Sequence, residues 1–232
     1  MEDIIFAENS QFLTIIYLVS AILCSGIVIF FLKLYRSFQS SYIFGLLAGF
    51  AFLAFSDFLF ASIVNLAIED ASFNVLHWSR LMIGMTGFVI IGSVYVFQKM
   101  NERKFSNVTK IAILSISPAI LLTLYVFLEN IQIPSFSYYN EYFRLANILA
   151  IGYATISILV NKNTKNGSNF SALALGFTGL LASQFTQLFF AIEPNAFALY
   201  LSGLIKMGSF AIILFALTRQ PKTSKSLEKY EK

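Results

Sequence analysis

Apolar residues run along this chain in long unbroken stretches, and charged residues gather between them. Seven stretches can be counted, at about 12–34, 42–66, 75–97, 111–128, 142–160, 170–192 and 197–217. Each holds about 18–25 residues. At about 1.5 Å of rise per residue, a helix of that length crosses roughly 30 Å of hydrocarbon. Backbone groups in lipid must be satisfied within their own segment, which selects helices. Strands of a membrane barrel would be about ten residues long and alternate in polarity, and these segments do neither. The pattern predicts an all-α integral membrane protein of the multi-pass kind. It is a seven-transmembrane-helix bundle forming one domain over residues 1–218, with a short charged tail at 219–232.

Composition supports that class. The chain is 57% hydrophobic and 12% charged, against about 25% charged residues in a soluble domain. The net charge of +4 does not point to nucleic acid, because the basic residues form no stripe. They mark topology instead. Lys33 and Arg36, then Lys99 to Lys110, then Lys162 and Lys165, then the tail all fall on one side of the segments. The alternate loops carry Glu69 and Asp70, Glu129, and Glu193, with no basic residue. The positive-inside rule then puts the N-terminus outside and the C-terminus in the cytoplasm of a cell-membrane protein. An odd number of spans fits that assignment. Residues 1–10 carry three acids and no base, unlike a cleaved leader, so the first helix is expected to be retained. The single Cys24 lies within the first apolar segment and can form no intramolecular disulfide.

Three cations interrupt the apolar segments: Arg80, Arg144 and Lys206. Lys206 is the most costly, since a cation near the bilayer centre is disfavoured by about 2.5–3.5 kcal/mol on insertion scales. Depth can be counted from the outer end of each segment. Asp57 and Lys206 each come nine residues in, or about 13–14 Å. Gln184 lies at nearly the same level, while Arg80 and Gln187 lie higher, at about 7–8 Å. Apart from Lys33 at the very end of the first segment, the inner half of the segments holds no charge. An ammonium and a carboxylate at equal depth on separate helices can stabilise each other's charged form. The spacing therefore predicts an outward-opening polar funnel with an Asp57–Lys206 pair at its floor, a site for a small ligand or ion entering from outside. Gln184 and Gln187 share a helix face that points inward. Arg80 is expected to turn inward and Arg144 to reach up to the outer interface.

Several chemistries find no signal. There is no His-Glu-x-x-His, Cys-x-x-Cys, Walker loop or Gly-x-Ser-x-Gly, and the lone His77 makes no metal site of the usual kind. No enzyme activity, metal or cofactor is expected on these grounds. Small residues, including Gly45 and Gly49 and the Gly203 and Gly208 pair around Lys206, are expected at helix contacts.

Two sets of residues carry family resemblances. His77-Trp78-Ser79-Arg80-Leu81 with Gly84, the basic loop 99–104 and Ile116-Ser117-Pro118 resemble the seven-helix N-terminal sensor module of some prokaryotic histidine kinases. That likeness covers about residues 42–128. It implies a membrane receptor that signals to a cytoplasmic partner, here without an attached output domain. Separately, Lys206 in the seventh segment with Gly208 after it, and Trp78-Ser79-Arg80 in the third, resemble microbial rhodopsins. That likeness implies retinal bound to Lys206 as a Schiff base. The chain departs from it in having Ile83 and Ser202 where rhodopsin acids are expected. The leading expectation is a sensory or signal-transducing receptor. A retinal-binding protein is the alternative, and a small transporter or channel the third.

Overall fold

The computed structural model describes residues 10–64, 70–97, 140–162 and 168–219. These residues form six helices. In chain order they are α1 (Ser10–Phe38), α2 (Ser41–Ile63), α3 (Asp70–Phe97), α4 (Asn140–Lys162), α5 (Ser168–Ile192) and α6 (Ala196–Thr218). All six are long and apolar enough to cross a membrane. They correspond to the first, second, third, fifth, sixth and seventh segments of the sequence pattern. The fourth segment, 111–128, and most of the charged tail lie outside the described residues.

The two described connections have local causes. After α1 the chain reverses at Gln39, whose φ of 46° is left-handed, a region that a non-glycine residue enters only in tight turns. Between α5 and α6, Pro194 cannot continue a helix. Asn195 then caps α6, its side chain accepting from the Phe197 N–H at 2.9 Å.

The helices close into a ring in chain order, each packed on the next and α6 on α1. Their contacts fix the directions. Tyr17 meets Phe60 while Tyr35 meets Phe44, so α1 and α2 are antiparallel. Two neighbouring pairs run parallel. In α3 and α4, Trp78 lies on Phe143 and Gly92 lies against Ala150. In α6 and α1, Tyr200 lies on Phe12 and Leu214 lies against Gly26. The end of α3 and the start of α4 are thus at opposite ends of the bundle.

Outside, Ile15, Ile22 and Ile29 on α1 and Leu149 and Ile156 on α4 repeat every seven residues and are exposed. Such apolar faces suit lipid. Lipid gives apolar faces no drive to leave it, so small residues and hydrogen bonds must hold the helices together. The seams divide between these two means. Gly49 and Gly87 bring α2 onto α3, Gly92 brings α3 onto α4, Gly176 and Gly179 bring α5 onto α6, and Gly203 brings α6 onto Ile16 of α1. The α1–α2 and α4–α5 seams rely on interhelical hydrogen bonds. Gly208 departs from expectation: a methyl group there would meet nothing within 4 Å, so it brings no helix closer.

Two apolar clusters divide the interior by height. The larger draws on all six helices, with Phe31, Phe50, Ile91, Ile158, Phe177, Phe210 and Leu217 among its members. It fills the half that contains the end of α1 and the start of α2. The smaller, around Leu13, Ile16, Phe60, Leu81, Phe190 and Leu199, lies near the other end. The buried charged residues Asp57, Arg80, Arg144 and Lys206 lie between the two clusters or among the members of the smaller.

Candidate functional site

Lys206 is placed by α6 with its ammonium inside the ring. It forms an ion pair with Asp57 Oδ1 of α2. Asp57 is 1% exposed and Lys206 5%. The second carboxylate oxygen, Oδ2, accepts from Ser20 Oγ of α1 at 2.7 Å. Three helices therefore meet at one carboxylate. The ammonium also lies 5.8 Å from the Tyr17 ring centre and 5.7 Å from that of Phe210, within range of weak cation–π attraction. A charge removed from water is tolerated only with a partner and further hydrogen bonds, and Asp57 has both.

Beneath the pair, among the described residues, no further charged side chain is buried. Phe50 and Phe210 meet edge to face, with centroids 6.3 Å apart, and Phe50 meets Phe177 likewise at 6.4 Å. Cys24 at this level donates to the Phe50 carbonyl at 3.2 Å and is fully buried. Thr155 bonds to the carbonyl of Ile151 in its own helix at 2.8 Å. The larger apolar cluster thus forms a floor across the six described helices.

Above the pair a second polar group gathers. Arg80 of α3 is buried, its guanidinium 3.7 Å from the Phe60 ring centre and 5.6 Å from that of Tyr17. Ser56 of α2 holds this stretch of α3 by donating to the Arg80 carbonyl at 3.0 Å. Arg144 of α4 turns inward rather than up to the interface, which corrects the expectation for it. The cause is a pair of inward acceptors. Arg144 donates to Gln187 Oε1 on α5, and its Nε donates to Asn140 Oδ1 at 3.1 Å. Gln187 Nε2 in turn donates to the Tyr17 hydroxyl at 3.4 Å, a long bond. Gln184, one turn along α5, accepts from Asn147 Nδ2 at 2.9 Å.

Lys206 and Asp57 are thus brought together, and Arg80 and Gln187 meet around Tyr17 a level higher. Gln184 is inward but bonds to Asn147 rather than to the ion pair. The funnel expected from depth is not open. Phe60, Phe190 and Leu199 are at most 3% exposed, and they lie with the site toward the end of the bundle that holds the start of α1. The depth count ranks charged groups by height but carries no information on the apolar residues between them. Tyr17, Ser20, Asn140 and Asn147 join the site without having been expected there. The only available hint was a polar side chain at matching depth.

Comparison of the chain with family models, with curated proteins and with solved structures gives no match in any of the three.

Proposed function

We propose that this chain is a sensory or signal-transducing receptor module of the cell membrane. It takes a small ligand from outside and acts on a cytoplasmic signalling partner. The observation that carries the reading is the one-sided interior: a buried ion pair linking three helices stands over a floor of apolar side chains drawn from all six. A conduit would need polar groups in both halves. A receptor needs a switchable contact in one half and rigid helices to carry the motion to the other. The Asp57–Lys206 pair with Ser20 ties α2, α6 and α1. Loosening it would let α6 move against the other two at their far ends.

In this reading the protein has seven spans, an outside N-terminus and a cytoplasmic C-terminus. Apart from hydropathy, helix direction supports the count. Because α3 and α4 run parallel, residues 98–139 have to join opposite ends of the bundle. A single further crossing through the apolar stretch 111–128 does this. The basic loop ends then place the larger apolar cluster on the cytoplasmic side.

The test uses spin labels on cysteines at Ser37 and Thr218, at the far ends of α1 and α6, in lipid nanodiscs. Asp57→Asn is expected to shift the distance distribution between them. Identical distributions in the two proteins, or solute flux in liposomes that Lys206→Met abolishes, would sink the receptor reading.

A second reading is favoured by one contact. Asp57 supplies an acid beside Lys206, the counter-ion that a protonated retinal Schiff base requires. Expression with all-trans-retinal decides this: a visible band absent from Lys206→Ala supports it, and a colourless protein removes it.

A further inference from the structure

A small cavity of about 10 Å³ lies above the ion pair, room for roughly one water-sized particle. Its polar lining is Tyr17, His77, Arg80, Asn140, Arg144 and Gln187. Two of these are guanidinium groups, on different helices, and both are buried. Among the described residues no carboxylate lines the cavity.

Arg80 makes this lining unusual. Arg80 forms no ion pair with a described carboxylate, and Asp57 acts on it only from a greater distance, while Tyr17 hydrogen-bonds it. Asp57, a buried carboxylate, is already engaged on one oxygen by Lys206 and on the other by Ser20. The aromatic faces of Phe60 and Tyr17 stabilise the Arg80 cation only in part. A buried cation strongly favours an anion within hydrogen-bonding reach. The remaining groups are suited to hold one. Arg144 is fixed by Gln187 and Asn140 so that its guanidinium faces the cavity. The Tyr17 oxygen accepts from Gln187 and keeps its own proton to donate.

We propose that this cavity is a binding site for a small inorganic monoanion of about the size of chloride, held between Arg80 and Arg144 with the Tyr17 hydroxyl. The site deepens the receptor reading by naming its ligand class. It rests on that reading for the consequence of binding, while binding itself stands apart. Size excludes organic carboxylates such as gluconate. Access is from the outer end, past Phe190 and Leu199, which also line the cavity.

The protein is purified in detergent with gluconate as the sole anion. Chloride then replaces gluconate at constant ionic strength, while the unfolding midpoint and the fluorescence of Trp78, the chain's single tryptophan, are followed. Trp78 sits two residues before Arg80 and its ring lies 5.5 Å from that of Phe143, beside Arg144. A ligand that binds only the folded state raises the midpoint along a saturating curve. Saturation in both signals at one chloride concentration is expected, with the response lost in Arg80→Gln. Gln187→Glu guards against a variant that fails to fold. It places a tethered carboxylate against Arg144, so its midpoint in gluconate should rise and its chloride response should vanish. A midpoint independent of chloride, a rise that never saturates, or a full chloride response in Arg80→Gln or Gln187→Glu would overturn the site. Saturable binding with unchanged spin-label distances would keep the site and sink the receptor reading instead. A ligand-driven helix shift without chloride saturation would do the reverse.

Discussion

Ser20 donates to the Asp57 oxygen that Lys206 leaves open, at 2.7 Å from a different helix. The carboxylate is thereby satisfied on both oxygens before any ligand arrives. This makes the pair a poor target for single substitutions. Asp57→Asn leaves a buried ammonium without its counter-ion, and Lys206→Met leaves a buried carboxylate with only a hydroxyl. Breaking a buried pair from one side costs about 3–5 kcal/mol, whereas removing both partners together is often nearly neutral. Unfolding in mixed micelles should therefore show each single variant strongly destabilised and Asp57→Asn/Lys206→Met nearer wild type. Additive losses in the double variant would mean that the two side chains do not interact.

The pair was legible from sequence because depth is a simple count, and Asp57 and Lys206 gave the same one. Their companions were not. These helices are apolar nearly all round, so no polar face reveals how each is rotated. Rotation decided that Arg144 turns to Gln187, that Tyr17 lies under Arg80, and that Asn147 rather than Lys206 meets Gln184. Six of the expected segments appear as helices within a few residues of their forecast ends, because lipid allows a long apolar run little else. The closure over the site was hidden for a different reason. It is made by ordinary apolar residues such as Phe60 and Phe190, which look the same in sequence whether they cover a site or face lipid.

Two glycines should respond in opposite ways to the same methyl group. In Gly92→Ala the new carbon would lie 2.7 Å from the Ala150 carbonyl oxygen, and backbone cannot step aside. A clash of this kind costs about 1–3 kcal/mol. Gly208→Ala meets nothing within 4 Å. It should be neutral or stabilising by up to about 1 kcal/mol through helix propensity. Urea or thermal unfolding of the two variants gives the comparison, and equal stabilities would mean that α3 and α4 do not approach as described.

The α4–α5 seam carries an asymmetry that mutation can expose. Asn147 donates to Gln184 at 2.9 Å, but its own Oδ1 is buried without a hydrogen-bond partner among the described residues. Gln184→Leu orphans both ends of the Asn147 amide. Asn147→Leu removes the unpaired acceptor along with the bond. An interhelical bond in lipid is worth about 0.6 kcal/mol, up to about 1.7, and a stranded buried polar group costs about 1–3 kcal/mol. Gln184→Leu is thus expected to be the more destabilising of the two by about 1 kcal/mol or more. The reverse order in unfolding measurements would show that Oδ1 has found another partner.

Helix direction gives the sharpest test of the topology. On the proposed seven-span reading, the chain between the parallel α3 and α4 changes sides of the membrane. Its two ends should then differ in access to a membrane-impermeant maleimide. Cys24 is fully buried with its thiol donated to Phe50, so the unmodified protein is a low-background control. In intact cells, Ser135→Cys should label from outside along with Glu193→Cys. Ser106→Cys should label only after permeabilisation, together with Ser37→Cys. Labelling of positions 106 and 135 from one side would mean that no span crosses between them. The parallel packing of Trp78 on Phe143 and Gly92 on Ala150 could then not exist in a bilayer, and the seven-span reading would fall with it.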